Sequence, residues 1–370
     1  MDHQDYMRLA LQLAEGGKGQ TSPNPAVGAV VVKEGRIVGL GAHLKAGEAH
    51  AEVHALNMAG EEADGSTVYV TLEPCSHHGK TPPCADLLIE KGVHAVFAAA
   101  EDPNSKVSGR GIAKLREAGI RVETGLLKDE ATAVNEVFFH YIRSRMPYVR
   151  LKSAMSLDGK IATVNGESQW ITGEGARRDG HRLRDETDAI LVGVNTVIAD
   201  NPSLTARLSG GGKNPVRIIL DRHLRTPVDA NVVTDGKAPT WIFAGQDAAE
   251  KSGERYRRPG VRVISSGSER VEIIPVLQHL GSEGIASLLV EGGAAVHASF
   301  LEEKAVQEVI TYVAPKLIGG RSAPTPFAGA GVERLADALH LTIGSVDRIG
   351  GDIKIVSRPK EEDADVYGNR

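Results

Sequence analysis

Aromatic residues make up only 4% of the 370 positions, and no apolar run approaches the roughly 18 residues of a membrane span. The first shortage leaves little with which to stack a base lifted out of a nucleic-acid strand, and the second excludes a membrane helix. Positive charge is not in excess either: the net charge is −5. Residues 1–146 hold 15 Lys/Arg against 19 Asp/Glu, and the remainder 28 against 29. Neither half is built to neutralise a polyanion, although one or two arginines suffice for a small phosphorylated substrate. The stretch from Met1 to Glu15 lacks a basic segment followed by an apolar one, so no signal peptide is expected. Cysteine is nearly absent, with Cys75 and Cys84 alone. The expected compartment is the reducing cytosol, where metal binding or thiolate chemistry is the first reading for such a pair.

At this length two domains are expected, 1–146 and 147–360, followed by a polar tail over 361–370. Tyr6, Leu9, Ala10, Leu13 and Ala14 recur at helical spacing, and Gly16-Gly17 ends that helix. Apolar runs at 26–32 and 36–41 flank Glu34-Gly35 and predict a hairpin. A helix from about Ala49, a strand over 67–72 and a helix over 84–91 follow. Strands are expected at 95–100 and 120–124, with helices over 110–118 and 128–143. A second alternation begins at 148–154, with further strands at 189–193, 216–220, 240–243, 261–264, 287–290 and 309–313. Helices alternating with short buried strands predict two layered α/β domains.

The chemistry concentrates in His50-Ala51-Glu52, Pro74-Cys75 and Cys84. One imidazole and two thiolates are ligands of the type zinc takes, and a fourth corner left to water marks a catalytic site. The metal acidifies that water, and Glu52 is placed to carry its proton to a ring nitrogen and then to the departing ammonia. His-x-Glu followed by Pro-Cys and a later Cys is the zinc deaminase pattern, but eight residues rather than two separate these cysteines. A disulfide, a structural zinc site completed by His77 or His78, and two unliganded buried cysteines are the alternatives.

Thr71-Leu72-Glu73-Pro74-Cys75-Ser76-His77 and Gly79-Lys80-Thr81-Pro82-Pro83-Cys84 resemble the bifunctional deaminase–reductase family of riboflavin biosynthesis, which carries this long insertion. Pro23-Asn24-Pro25-Ala26-Val27-Gly28 and Asp102-Pro103-Asn104 fit the same family. The resemblance implies a cytidine-deaminase-like α/β/α domain, then a dihydrofolate-reductase-like α/β domain. It assigns His50, Cys75 and Cys84 to Zn²⁺, Glu52 to catalysis, and Asn24 and Lys80 to the substrate. His43 and Thr81 join Lys80 as candidates for the substrate's phosphate. Asn24 reads equally as a turn residue between two prolines. Lys80 stands where the family commonly has Arg, keeping the charge without the bidentate fork.

In the second half, Ser287-Leu288-Leu289-Val290-Glu291-Gly292-Gly293-Ala294 is a strand, a diglycine turn and a helix start, where backbone amides attract phosphate. The same pattern also serves as an ordinary tight turn, and no Gly-x-Gly-x-x-Gly fingerprint follows an early strand. Residues 152–162, 168–173, 188–193 and 196–207 continue the resemblance, with Asn201 where the family often has Asp. It implies NADPH contacts from Ala154, Trp170, Thr196, Asp200 and the run Gly293, Ala294, Ala295, Val296, His297, Ala298, Ser299. Ser168, Arg184, Leu204, Arg207 and Glu291 would line the substrate side. Arg184 and Arg207 suit a phosphate clamp, or else pair with Asp185 or Glu186 at the surface.

The activity so implied is deamination of a diaminopyrimidinone ribosylamine phosphate, then reduction of its opened ribose by NADPH. The partners implied are that nucleotide-like substrate and a second copy, as a dimer through the reductase domain, with neither nucleic acid nor membrane. A nucleic-acid base deaminase predicts a basic, aromatic face that residues 1–146 lack. A zinc-stabilised scaffold with a nucleotide-sensing domain is the non-enzymatic alternative, and Glu52→Gln discriminates the two, since only the deaminase loses ammonia release.

Overall fold

A computed structural model of the chain describes residues 1–76, 82–104 and 108–360. It forms two compact units, Met1–Arg145 and one beginning at Met146. The polar tail of 361–370 lies outside the described residues.

The first unit carries β1 (Gly28–Lys33), β2 (Arg36–Ala42), β3 (Thr67–Val70), β4 (Ala95–Ala98) and β5 (Arg121–Thr124) in one sheet, ordered β2-β1-β3-β4-β5. The expected hairpin is β1–β2, whereas β3, β4 and β5 run parallel. Its helices are α1 (His3–Glu15), α2 (Ala51–Ala59), α3 (Cys84–Glu90), α4 (Arg110–Glu117), α5 (Lys128–Val134) and α6 (Glu136–Ser144). Glycines set how closely two of them approach. A Cβ on Gly28 would lie 1.9 Å from the Ala10 carbonyl oxygen in α1, and one on Gly41 would lie 2.0 Å from that of Ala51 in α2. Gly41 pairs with Ala29, the neighbour of Gly28, so the two glycines face opposite sides of the sheet. The sheet is thereby covered on both faces, and only hydrogen at position 41 lets the first turn of α2 sit against β2.

One expected helix is two. The stretch 128–143 breaks at Asn135, whose side chain is buried and bridges Ala26, 109 residues away. Its Oδ1 accepts from the Ala26 amide and its Nδ2 donates to the Ala26 carbonyl, both at 2.8 Å. That clasp fixes the loop carrying Asn24.

The second unit begins with β6 (Tyr148–Ser156), α7 (Glu174–Glu186), β7 (Ala189–Gly193), α8 (Val194–Asp200) and β8 (Val216–Leu220). Next come α9 (Asn231–Thr234), β9 (Thr240–Ala244), α10 (Gln246–Ser252), β10 (Val261–Ser265) and α11 (Ile273–Ser282). It ends with β11 (Ser287–Val290), α12 (Ala294–Glu302), β12 (Glu308–Ala314), β13 (Leu341–Ile349) and β14 (Asp352–Pro359). The sheet order is β10-β9-β8-β7-β11-β6-β12-β14-β13. From β10 to β12 the strands are parallel, and β14 and β13 close the edge antiparallel. Alternate residues of β7 serve opposite faces: Ala189 and Leu191 join one core cluster, Ile190 and Val192 another. Winding outward from β7 to β10, then returning to insert β11 beside β6, creates a switch point. In open α/β sheets the crevice beyond the strand ends at such a point is where ligands bind.

Candidate functional sites

The deaminase candidates converge at the carboxyl end of β3. His50 is the N-cap of α2 and places Glu52 in its first turn, while Pro83 stops the chain so that Cys84 opens α3. The ligand atoms of His50, Cys75 and Cys84 lie within 4.8 Å of one another. His50 Nδ1 is 3.2 Å from Cys84 Sγ and 3.6 Å from Cys75 Sγ, and the Cys84 amide donates to Cys75 Sγ at 3.3 Å. Both cysteines are free. His77 and His78, the alternative fourth ligands, lie outside the described residues, as do Lys80 and Thr81.

The electrostatics of this cluster suit a cation. Hydrogen bonding from Cys84 and His50 pulls the Cys75 thiol down to about 4, while the bond to Cys75 and burial push Cys84 far up. The pair releases one proton easily and resists losing the second. A divalent ion between them supplies the charge that lets both sulfurs ionise. The donor set fits zinc. Glu52 is 3% exposed, and burial, then the nearby Cys75, push its carboxyl up to about 7.

Glu52, His50 and Cys75 line a cavity of about 420 Å³ together with Asn24, His43, Asp102 and Asn104. His43 is buried, its Nδ1 3.1 Å from the Ala49 carbonyl, and desolvation lowers its pKa. Sequence reasoning missed Glu73, whose buried carboxylate accepts from four backbone amides. Oε2 takes Asp102 at 3.3 Å and Gly109 at 3.0 Å; Oε1 takes Gly111 at 3.0 Å and Ile112 at 3.4 Å. A Cβ on Gly111 would fall 2.0 Å from the Pro74 carbonyl oxygen. Glu73 therefore ties the loop of Asp102 and the start of α4 to the strand end that carries Cys75. Nothing local in the sequence distinguishes it from a solvated acid.

The reductase candidates meet at the switch point of the second sheet, around a cavity of about 580 Å³. Ala154, Ser168, Trp170, Arg184, Asp200, Arg207, Glu291 and His297 line it. Thr196, Leu204 and the remaining α12 positions from Gly293 to Ser299 are not among its lining residues. Leu204 and Ala298 are buried, at 4% and 6% exposure, and Ser299 Oγ donates to the Ala295 carbonyl one turn back. Trp170 stands 61% exposed, with the Arg177 guanidinium 4.7 Å from its ring centre. It is a pocket wall rather than core.

Arg184 pairs with neither neighbour proposed for it. Its Nε and a terminal nitrogen hold Glu291 at 2.8 and 3.0 Å, and Lys152 Nζ approaches the same carboxylate at 3.4 Å. Burial alone would raise the Glu291 pKa, but these two cations outweigh it and hold it well below the usual carboxylate range. Arg207 is exposed and makes no ion pair among the described residues, leaving its fork open to the cavity. Tyr312 and Lys152 also line the pocket; the Tyr312 hydroxyl donates to Asp179 at 2.6 Å, and Lys354 shares that oxygen at 2.7 Å. Asn201 takes a left-handed conformation (φ 39°) at the end of α8 and brackets Asn231 through 2.8 and 2.7 Å hydrogen bonds. Asparagine tolerates that conformation well, which accounts for it here.

The residues present suit a phosphorylated cofactor. Gly292, just past the end of β11, lines the cavity, and a Cβ on the Gly293 that follows would meet nothing within 4 Å, so the start of α12 is open to approach. Helix-start amides of this kind suit phosphate oxygens.

A zinc-binding deaminase fold joined to a nucleotide-linked reductase is the class these two sites define. Comparison with known proteins agrees. Residues 1–100 match the family of the cytidine and deoxycytidylate deaminase zinc-binding region, and residues 147–355 match the RibD C-terminal domain. The chain is 53% identical over 369 residues to the riboflavin biosynthesis protein RibD of Bacillus amyloliquefaciens, covering 99% of each chain. It is similar to the crystal structure of Acinetobacter baumannii RibD (TM-score 0.87, 39% identity, 97% of this chain and 99% of that one). It is equally similar to the diaminohydroxyphosphoribosylaminopyrimidine deaminase/5-amino-6-(5-phosphoribosylamino)uracil reductase of Thermotoga maritima (TM-score 0.87, 37% identity, 96% and 98%). The chain belongs to the RibD family of riboflavin biosynthesis. It is a bifunctional deaminase and reductase whose cofactors are zinc and NADPH. Among the described residues, no helix is long and apolar enough to cross a membrane.

Proposed function

We propose that the first unit deaminates diaminohydroxyphosphoribosylaminopyrimidine and the second reduces 5-amino-6-(5-phosphoribosylamino)uracil, the substrates named for the Thermotoga maritima relative. The observation that carries the first half is the convergence of three ligand atoms within 4.8 Å on a cavity that a buried Glu52 also lines. His50, Cys75 and Cys84 would hold zinc, which when bound acidifies a water molecule. Glu52 takes up and returns the proton, and its burial, then the nearby Cys75, favours the protonated form that such an exchange passes through. Asn24, two residues before the Ala26 that Asn135 clasps, offers an amide donor and acceptor to the substrate edge.

In the second unit NADPH supplies the hydride when bound. Trp170, Asp200, Ala154 and the start of α12 orient it, and Ser168, Arg184, Arg207 and Glu291 line the substrate side. Arg207 has the open guanidinium suited to the phosphate, and Arg184 orients Glu291. One coupled assay tests the whole reading. Full-length protein given the diaminopyrimidine nucleotide and NADPH should release ammonia and oxidise NADPH in equal amounts, and chelation of zinc should stop both. NADPH oxidation without ammonia release from that substrate would overturn the order of steps.

The two cysteines serve as thiolate ligands, which fits the reducing cytosol. The chain also pairs with a second copy through its reductase unit. Support comes from the sheet edge, where β13 has no outer partner among the described residues and Leu341, Ile343, Val346 and Ile353 stand 38%, 61%, 59% and 38% exposed. Such an edge is a ready pairing surface. Sedimentation should give a dimer for the natural chain and a monomer for Ile343→Glu/Val346→Glu; a monomeric natural chain would remove this reading.

A further inference from the structure

We infer that Arg145 is a phosphate anchor of the deaminase cavity and sets its preference for a phosphorylated substrate. The inference rests on the deaminase reading given above. Among the described residues, Arg145 is the only lysine or arginine lining that cavity, and its side chain makes no ion pair or hydrogen bond with them. The acids lining the cavity are otherwise engaged: Glu73 is filled by backbone amides, Asp102 accepts from the Asn104 amide at 2.8 Å, and Glu52 sits buried beside the metal ligands.

Position on α6 explains how the charge is aimed. Phe138, Tyr141 and Ile142 on that helix form a cavity wall, and Arg145 follows as its C-cap. The Arg145 amide still closes the helix onto the Tyr141 carbonyl at 2.9 Å, but its backbone is left-handed, φ 58° and ψ 21°. That conformation favours glycine or asparagine at a helix end, and other residues are disfavoured there. An arginine kept in a glycine position, unpaired and turned to a cavity, is poorly accounted for by stability alone.

The solvent exposure of Arg145 also suits a phosphate. A phosphomonoester is close to doubly charged at neutral pH, so it stays at the wet rim while the ring enters toward Glu52. The guanidinium offers two parallel donors to such a group.

The test is steady-state deamination by full-length protein, using the diaminopyrimidine nucleotide and the same compound without its phosphate. Arg145→Gln should raise KM for the nucleotide about 10- to 100-fold with little change in kcat, as expected for a charge-assisted contact made equally in ground and transition states. With the dephosphorylated compound the penalty should be no more than about twofold. Arg145→Lys should recover part of the loss, and the ionic-strength dependence of KM should flatten in Arg145→Gln. Arg145→Gly, which suits the left-handed backbone, should raise KM similarly without loss of thermal stability, keeping a folding defect separate. An unchanged KM in Arg145→Gln, or equal losses on both compounds, would overturn the inference while leaving the deaminase intact. Failure of the natural chain to release ammonia from either compound would instead defeat the deaminase reading itself.

Discussion

Glu52→Gln will lower ammonia release by about a thousandfold while leaving zinc content and NADPH oxidation of supplied deaminated intermediate unchanged. The three effects separate because of where Glu52 sits. It is two residues past His50 on α2, lines the cavity, and is not one of the three clustered ligands. Glutamine matches its volume and preserves packing against the buried wall, so the first turn of α2 should stay where Gly41 allows it. What the amide cannot do is accept a proton from water and deliver it to nitrogen. The carboxyl is suited to that task because burial, reinforced by Cys75, pushes its pKa up to about 7. Zinc measured by mass spectrometry, ammonia by a coupled assay and NADPH by absorbance give the three readouts. Undiminished ammonia release with zinc in place would remove Glu52 from the chemistry. Zinc lost along with activity would make it a structural prop instead.

How much of this was legible in the sequence depended on distance along the chain. His50, Glu52, Cys75 and Cys84 announced themselves because ligand chemistry is written in residue types, and a helix start and a strand end hold them in short segments. Most of the inner strands, such as β4, β7, β9 and β11, were readable for a similar reason: buried parallel strands are continuous apolar runs, while β1 and β2 showed through the turn at Glu34-Gly35. β13 and β14 were not, because an edge hairpin mixes Asp347, Arg348 and Lys354 with Ile343 and Val346, and its outer strand is mostly exposed. The break between α5 and α6 was hidden because the residue causing it, Asn135, answers to Ala26 rather than to its neighbours. Arg184 was offered Asp185 and Glu186 by proximity, yet its partner lies 107 residues away. Leu204 carried the resemblance but resides in a core cluster. Local patterns disclose elements and ligand types; which polar group meets which is decided by topology.

Glu291→Gln should destabilise the reductase unit by about 3 kcal/mol near neutral pH, lowering its unfolding midpoint by roughly 6–12 °C. The carboxylate is 10% exposed and neutralises two cations that are themselves mostly buried, Arg184 at 15% and Lys152 at 20%. An amide leaves both charges desolvated and unmatched, and that residue of unpaired charge is where the cost arises. The sign of the pH dependence follows from the depressed folded pKa. An unfolded glutamate titrates near 4.3, and the folded one well below it, so the contribution of the ion pairs is complete above that value and fades as pH falls through it. The stability gap between the natural chain and Glu291→Gln should therefore be open at pH 7 and narrow steadily below about pH 4. Removing one cation as well, in Glu291→Gln/Lys152→Met, should restore part of the loss, because one fewer charge is stranded. NADPH oxidation should fall in Glu291→Gln even where the protein is fully folded, since Arg184 loses the partner that fixes its fork against the cavity wall. An unfolding midpoint at pH 7 that matches the natural chain would show that the pairs contribute nothing net, and the account of this wall would fail with it.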